Sequence, residues 1–253
     1  LGDVYKRQVY LDADTVIYAD VAELYDADLG GNPLGAVRDV SVLSSLIAGY
    51  PRLQLRKLEP LGLSNPRHYF NSGVLVLDLA LIRAENAEPR LLQVIEEYNE
   101  QLEHPDQDAL NIVFHDRISP LPVEWNYHFQ FELKKDGLEA AAEGTEFSGI
   151  STIYANRSWK LFHMIGSKKP WLQPEKTEEY LMSTNVWWEA AMEPPSHQPY
   201  VKNLLDEFTR WTRKQLRYNQ WHLPFSFGKN FRKRQKRIRL LKRLLHAFEN
   251  GRA

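Results

Sequence analysis

The chain has 253 residues, 43% of them hydrophobic and 26% charged, with no cysteine; that can bury the core of one α/β domain with appendages and excludes wholesale disorder and collagen-like repeats. The missing cysteines exclude a disulfide framework, a thiolate metal site and a cysteine nucleophile, and no apolar run approaches the ~20 residues of a membrane-spanning helix. The formal net charge of -1 conceals an asymmetry: residues 202–253 carry 15 Lys+Arg and 3 Asp+Glu, against 17 and 30 in residues 1–201, which predicts an acidic globular body with a basic tail that meets something anionic.

Residues 1–8, LGDVYKRQ, have neither helix nor strand period and are expected to be a non-native leader, with the native start missing. No basic segment followed by an apolar one opens the chain, so a signal peptide is not expected. Val9–Leu11 is a short β-prone run ending at Asp12, and Asp20–Tyr25 reads as helical. Leu34–Val37 predicts a second strand, ending at Arg38-Asp39. Residues 41–67, with three prolines, read as an irregular crossover with at most one short helix. Phe70 to Leu79, FNSGVLVLDL, is the near-continuous apolar run of a buried α/β strand. Helices are expected over Pro89–Gln101 and Gln107–His115, and strand-like pieces over Ile118–Pro122 and Ser151–Phe162, the second ending at His163. Alternating strands and helices predict an α/β sheet with sites at the strand ends. Past Trp171 the chain turns helical and aromatic, with Trp187, Trp188, Trp211 and Trp221 and a break at Pro194–Pro199. Lys229–Phe248 places Phe231, Ile238, Leu241, Leu245 and Phe248 on one helical face, with Lys and Arg at most other positions. The expected division is a leader over 1–8, a main domain over 9–172, a helical aromatic extension over 173–228 and a basic amphipathic helix over 229–253.

Three constellations carry chemistry. Asp12-Ala13-Asp14 follows the apolar strand VYL. Two carboxylates one residue apart at a strand end can share a hard cation, and a cation there would clamp phosphate-ester oxygens. A solvated acidic turn explains the tripeptide equally well. LDADT also fits the D-x-D-x-T start of haloacid-dehalogenase-type phosphatases, but the later G-D-x-x-x-D cluster they need is missing: Asp106 and Asp108 lie in HPDQDAL without the preceding glycine. The second constellation is HMIGSKKPW. His163 closes a strand, Gly166 permits a tight backbone approach, and Lys169 is a point charge for phosphate. An imidazole beside two carboxylates suits manganese better than calcium. The third joins Asn71 and Ser72 of FNSGVLVLDL to Asp106 and Gln107 of HPDQDALN, polar groups fitted to sugar hydroxyls. The same residues have plainer roles, Asn71 capping a turn and Asp106 capping a helix that starts at Gln107.

Together VYLDADTVIYADVAELYDADLGGNPLGAVRD, HYFNSGVLVLDL, HPDQDALNIVF, LPVEWNY and HxxGxxKPW resemble glycosyltransferase family 8, its bacterial lipopolysaccharide galactosyl- and glucosyltransferases above all, in family order over residues 9–171. The resemblance implies a GT-A fold, a mixed α/β sheet flanked by helices with a helical C-terminal extension. It implies retaining transfer of a hexose from UDP-galactose or UDP-glucose to a lipid-linked oligosaccharide, with Mn²⁺ as cofactor and Mg²⁺ as its substitute. By position Asp12, Asp14 and His163 match the metal ligands, and Gly166 and Lys169 the contacts to the donor diphosphate. Asn71, Ser72, Asp106 and Gln107 match residues lining the transferred sugar, and Asp39 a polar position beside donor sugar and acceptor. Gln107 falls on the reacting face of the anomeric carbon, with Asp106 beside it. Glutamine is a poor nucleophile, which favours front-face displacement. The resemblance also implies a long segment before the D-x-D strand that recognises uridine, and only Val9–Leu11 stand there.

In Lys229–Arg243 nine basic residues lie opposite Phe231, Ile238, Leu245 and Phe248. A solvated helix face accounts for that, and so does attachment to an anionic leaflet, which places the protein in the cytoplasm, peripheral on the inner face of the membrane. Nucleic acid is not expected as a partner, because no recognisable binding motif accompanies the charge. A non-catalytic sugar- or membrane-binding fragment is the alternative from another functional class.

Overall fold

The computed structural model describes residues 6–40, 42, 58–63, 68–128, 149–166, 169, 186–187, 189–191, 198–223 and 228–249. Expectations for residues 1–5, for most of 41–67, for Trp171 and Trp188, and for most of 170–197 lie outside them. The chain divides into two compact units, Leu1–His163 and Met164–Ala253.

In the first unit β1 (Arg7–Leu11), β3 (Leu34–Arg38), β4 (Phe70–Asp78) and β5 (Ile118–Pro120) form a mixed sheet in the order β1-β4-β3-β5. β4 runs antiparallel to both neighbours, while β3 and β5 are parallel. β2 (Thr15–Ile17) pairs antiparallel with β6 (Leu161–His163) in a separate ribbon. Around them lie α1 (Val21–Tyr25), α2 (Leu79–Ala84), α3 (Ala87–Tyr98), α4 (Pro105–Val113) and α5 (Ile150–Asn156). As expected of a strand apolar along its length, β4 is central and buries Val74 and Val76 completely. Leu34 and Ala36 of β3, Phe70 and Leu75 of β4, Ala87 of α3, Val113 and Phe114 at the end of α4, and Ile118 of β5 make one core.

Local chemistry sets the helix starts. Asp20 and Asp78 cap α1 and α2, accepting from the backbone N–H of Ala22 and Leu81, each at 2.9 Å. α4 opens on Pro105, whose missing N–H is harmless at a first helical position. The helix therefore starts two residues before Gln107, with Asp106 in its first turn instead of at its cap. Buried Asp108 reaches back to accept from the N–H groups of Glu103 and His104, at 2.8 and 2.9 Å.

Two expectations are corrected. Arg7 and Gln8, set aside with the leader, are the first rungs of β1 opposite Asp78 and Leu77, and the Arg7 guanidinium donates to the carbonyls of Tyr25 and Ala27. The strand expected over Ser151–Phe162 is mostly helix: only Leu161–His163 is extended. β-Branched residues favour strands, but Ile150 and Ile153 share a helical face and both are buried, which outweighs that preference. Arg157, in the left-handed region at φ 49°, ends the helix.

In the second unit α6 (Gln198–His222) packs against α7 (Gly228–Glu249). The α7 stripe read from the sequence is not a free apolar surface, since Leu241 is fully buried and Phe231, Ile238 and Leu245 are half-buried. Arg234 of α7 lies 5.6 Å from the Tyr218 ring centre. No described helix is long and apolar enough to cross a membrane.

Candidate metal and sugar site

Three strand ends converge on the D-x-D turn. The Asp12 N–H, just past β1, donates to the Gly73 carbonyl of β4 at 2.8 Å. The Thr15 hydroxyl donates back to the Asp12 carbonyl at 2.8 Å, closing the turn that carries Asp14. Thr15 then opens β2 directly opposite His163, the last residue of β6. His163 Nε2 consequently lies 3.4 Å from Asp12 Oδ2 and 3.3 Å from Asp14 Oδ1. Donor atoms of all three residues fall within 4.8 Å of one another.

Gly73 makes room for the imidazole. A Cβ on it would lie 2.1 Å from His163 Cε1 and 2.9 Å from Asp12 Oδ2, closer than atoms approach. The other side of the ring is held by the segment Val123–Tyr127, which runs beside β6: Tyr127 N donates to the Leu161 carbonyl and His163 N to the Tyr127 carbonyl. Tyr127 stacks on Trp159, with ring centres 5.4 Å apart, and Phe162 meets the same indole edge-on. Asn126, beside Tyr127, thereby brings Oδ1 to 2.8 Å from His163 Nδ1.

The residues expected to line a sugar adjoin this group. Asn71 Oδ1 accepts from Asn126 Nδ2 at 2.8 Å and from Gly73 N at 3.0 Å, the turn-capping role expected of it. Asn71 Nδ2 and the Ser72 N–H both donate to Gln107 Oε1, each at 3.1 Å, and Gln107 Nε2 faces Asp39 Oδ2 at 3.3 Å. The Ser72 hydroxyl donates to Asp106 at 2.9 Å. Behind them, buried Tyr69 donates to Asp108, and Asn111 bonds both backbone groups of Phe70, fixing α4 against the start of β4. Of the expected residues, Asp12, Asp14, His163, Asp39, Asn71, Ser72, Asp106 and Gln107 are thus joined in one polar region. Gly166 and Lys169 lie in the second unit, where Gly166 takes φ 85° and the Lys169 ammonium donates to the Met164 carbonyl at 2.7 Å.

The electrostatics suit a cation. Burial disfavours a charged His163, but Asp12 and Asp14 outweigh it and hold its pKa above the ordinary imidazole value. The His163 contact in turn holds the Asp12 carboxyl below its usual range. Tyr10 on β1 donates to Asp12 Oδ1 at 2.8 Å, and this bond raises the phenol pKa. Two carboxylates and an imidazole form a donor set for a divalent transition metal, in a cradle that a Cβ at residue 73 would fill. Sequence reasoning passed over Gly73, Asn126 and Tyr10. Tyr10, at i−2 from Asp12, shares its strand face and had a readable signal; Gly73 and Asn126 had none beyond lying inside quoted motifs.

Residues 1–175 match the family model of glycosyl transferase family 8. General stress protein A of Bacillus subtilis (strain 168) is 24% identical over 199 residues, spanning 76% of this chain and 64% of that protein. Lipopolysaccharide 1,2-glucosyltransferase of Escherichia coli (strain K12) is 30% identical over 173 residues, 68% of this chain and 46% of that protein. Among solved structures, the apo form of the bifunctional glycosyltransferase WbbM matches with TM-score 0.57 at 27% identity, over 77% of this chain and 34% of its own. The chain thus spans between about half and two thirds of the length of these two curated relatives.

Gly73→Ala is expected to displace the imidazole and weaken Mn²⁺ binding by at least about 10-fold, as measured by calorimetry. Mn²⁺ affinity is also expected to rise with pH and level off above the raised His163 pKa, because a bound cation replaces the proton that the carboxylates stabilise. Calorimetric titrations across neutral pH check this sign.

Proposed function

This chain belongs to glycosyltransferase family 8 and has the GT-A fold, and from that premise we propose that it moves a hexose, galactose or glucose, from a UDP-sugar to a lipid-linked oligosaccharide with retention of configuration. The observation that carries the reading is the meeting of Asp12, Asp14 and His163 in one cluster, joined by hydrogen bonds to the amides of Asn71 and Gln107. The acceptor class follows the Escherichia coli relative, a lipopolysaccharide glucosyltransferase. Family membership sets the phosphatase alternative aside.

Four carboxylates, those of Asp12, Asp14, Asp39 and Asp106, border the region, and they repel an anionic diphosphate. A divalent cation, Mn²⁺ by its donor set with Mg²⁺ as substitute, would be held by Asp12, Asp14 and His163 and would offset charge developing on the leaving UDP. Gly166 and Lys169 are assigned to the donor diphosphate by their place in the motif alone.

The sugar side works by orientation. Asn71, Asp39, Asp106 and the Ser72 hydroxyl offer donors and acceptors to hexose hydroxyls, and fixed geometry lowers the barrier without an ionised nucleophile. Gln107 is neutral and its oxygen already accepts two N–H bonds, so it does not attack the anomeric carbon. The acceptor hydroxyl oxygen bonds to that carbon on the face from which the UDP oxygen departs, and its proton passes to the departing diphosphate.

The basic second unit is assigned to an anionic membrane surface at the cytoplasmic face. With Leu241 buried, the attraction is chiefly electrostatic, aided by Trp221, 73% exposed near the end of α6.

Calorimetric titration with UDP is expected to show binding that requires Mn²⁺ and is lost, by roughly 10-fold or more, in Asp14→Ala. UDP-galactose and UDP-glucose turnover should fall with it; Mn²⁺-independent binding would sink the reading in favour of a non-catalytic binding module. Sedimentation with vesicles should show binding to phosphatidylglycerol and not to phosphatidylcholine, abolished near ~1 M salt where the Debye length is ~3 Å. Equal binding to both lipids would remove the electrostatic account.

A further inference from the structure

We propose that Asn126 is a positioning residue, which dictates the nitrogen that His163 presents to Asp12 and Asp14 and holds the Asn71 amide in place beside Gln107. The proposal rests on the metal-dependent reading above and extends it to a side chain that touches neither cation nor sugar.

Amide polarity fixes the direction of each bond. An amide side chain has one accepting and one donating end, and its neighbours decide which is which. A backbone N–H can only donate, and two of them set the direction here. The Gly73 N–H makes Asn71 Oδ1 an acceptor. The Asn126 atom 2.8 Å from that oxygen must therefore be its NH₂, which leaves the Asn126 oxygen 2.8 Å from His163 Nδ1. An oxygen at that distance requires a proton on Nδ1. The Ser72 N–H fixes Gln107 Oε1 as an acceptor in the same way, so Asn71 gives its NH₂ to that oxygen and Gln107 turns its own NH₂ to Asp39.

The result is one series running in a single direction: His163 donates to Asn126, Asn126 to Asn71, Asn71 to Gln107, and Gln107 to the Asp39 carboxylate. Reversing Asn71 or Gln107 would set oxygen against oxygen on one side and NH₂ against NH₂ on the other, and reversing Asn126 would set its oxygen against Asn71 Oδ1; in a buried network such a loss is large. Asn126 is 1% exposed, so water does not take its place.

Two consequences follow. Neutral His163 carries its proton on Nδ1, so the Nε2 lone pair faces the two carboxylates, where a cation would take it up. A histidine side chain in water favours the opposite tautomer, so the protein imposes this one, as second-layer partners of metal-binding histidines do. At the far end, Gln107 has its oxygen doubly engaged and its NH₂ directed at Asp39, which fixes the face it shows to a sugar.

The test uses the full chain, Mn²⁺ alone as the binding probe, UDP-hexose turnover and nitrogen NMR of isotope-labelled protein. At about pH 9, above the usual imidazole range, the His163 resonance, identified by its loss in His163→Gln, should report a proton on Nδ1. Asn126→Leu should lose that tautomer and bind Mn²⁺ about 10–100-fold more weakly. Asn126→Asp keeps an acceptor for Nδ1–H but cannot donate to Asn71. It should retain the tautomer and the Mn²⁺ affinity while donor turnover falls roughly 10-fold. If Asn126→Leu does not fold, this split in Asn126→Asp alone decides. An unchanged tautomer and Mn²⁺ affinity in Asn126→Leu, or an equal loss of both readouts in Asn126→Asp, overturns the proposal. A wild-type chain that shows the Nδ1 tautomer but binds no Mn²⁺ overturns the metal reading and upholds the polarity assignment.

Discussion

The site depends on a missing side chain. Because residue 73 is glycine, the imidazole of His163 lies against the backbone of β4, and Asp12 can share that space. A methyl group there would separate the histidine from the carboxylates, whatever the sequence supplied elsewhere. The same glycine accepts from the Asp12 N–H and donates to Asn71, so one backbone unit connects the cation side to the sugar side. Asp12 and Asn71 both bond the Gly73 backbone of β4, the central strand whose Phe70 and Leu75 lie in the core.

The two ends of the network differ in their chemistry, with two carboxylates and an imidazole at one and amides beside the Asp39 and Asp106 carboxylates at the other. Around Asp12 and Asp14 the groups are ionisable: the two carboxylates favour the charged form of His163, and the histidine contact favours the ionised form of Asp12. Asn71 and Gln107 are amides, which under the proposed reaction would orient a neutral sugar without moving a proton. Under the proposed transfer, fixed dipoles would face the reacting carbon and a bound cation would supply counter-charge at the leaving group.

Much of this was legible beforehand, for particular reasons. Asp12-x-Asp14 follows a strand, and the strand, ending where its apolar run ends, placed the pair at a strand end. FNSGVLVLDL has the continuous apolar character of a central strand, and so it is. The helix over Ile150–Asn156 was not legible, because β-branched residues carry a strand preference that buried helical packing overrides. α7 showed its amphipathic period but not that α6 packs against it. Asp106 looked like a helix cap, yet its carboxylate goes to Ser72, a choice made by the neighbouring strand.

The sequence by itself determined the residue types of the site, the strand that precedes the carboxylate pair, and the division of charge between an acidic body and a basic tail. These are properties of composition, period and spacing, which neighbouring residues along the chain settle among themselves. Only the tertiary structure decided that Asn126 would meet His163, that Gly73 would lie beneath the imidazole, and that the amides would all point one way. Those facts depend on the register of β2 against β6 and on the path of Val123–Tyr127 beside it. Hydrogen bonds between residues 37 and 55 positions apart exist only once the sheet has brought their strands together.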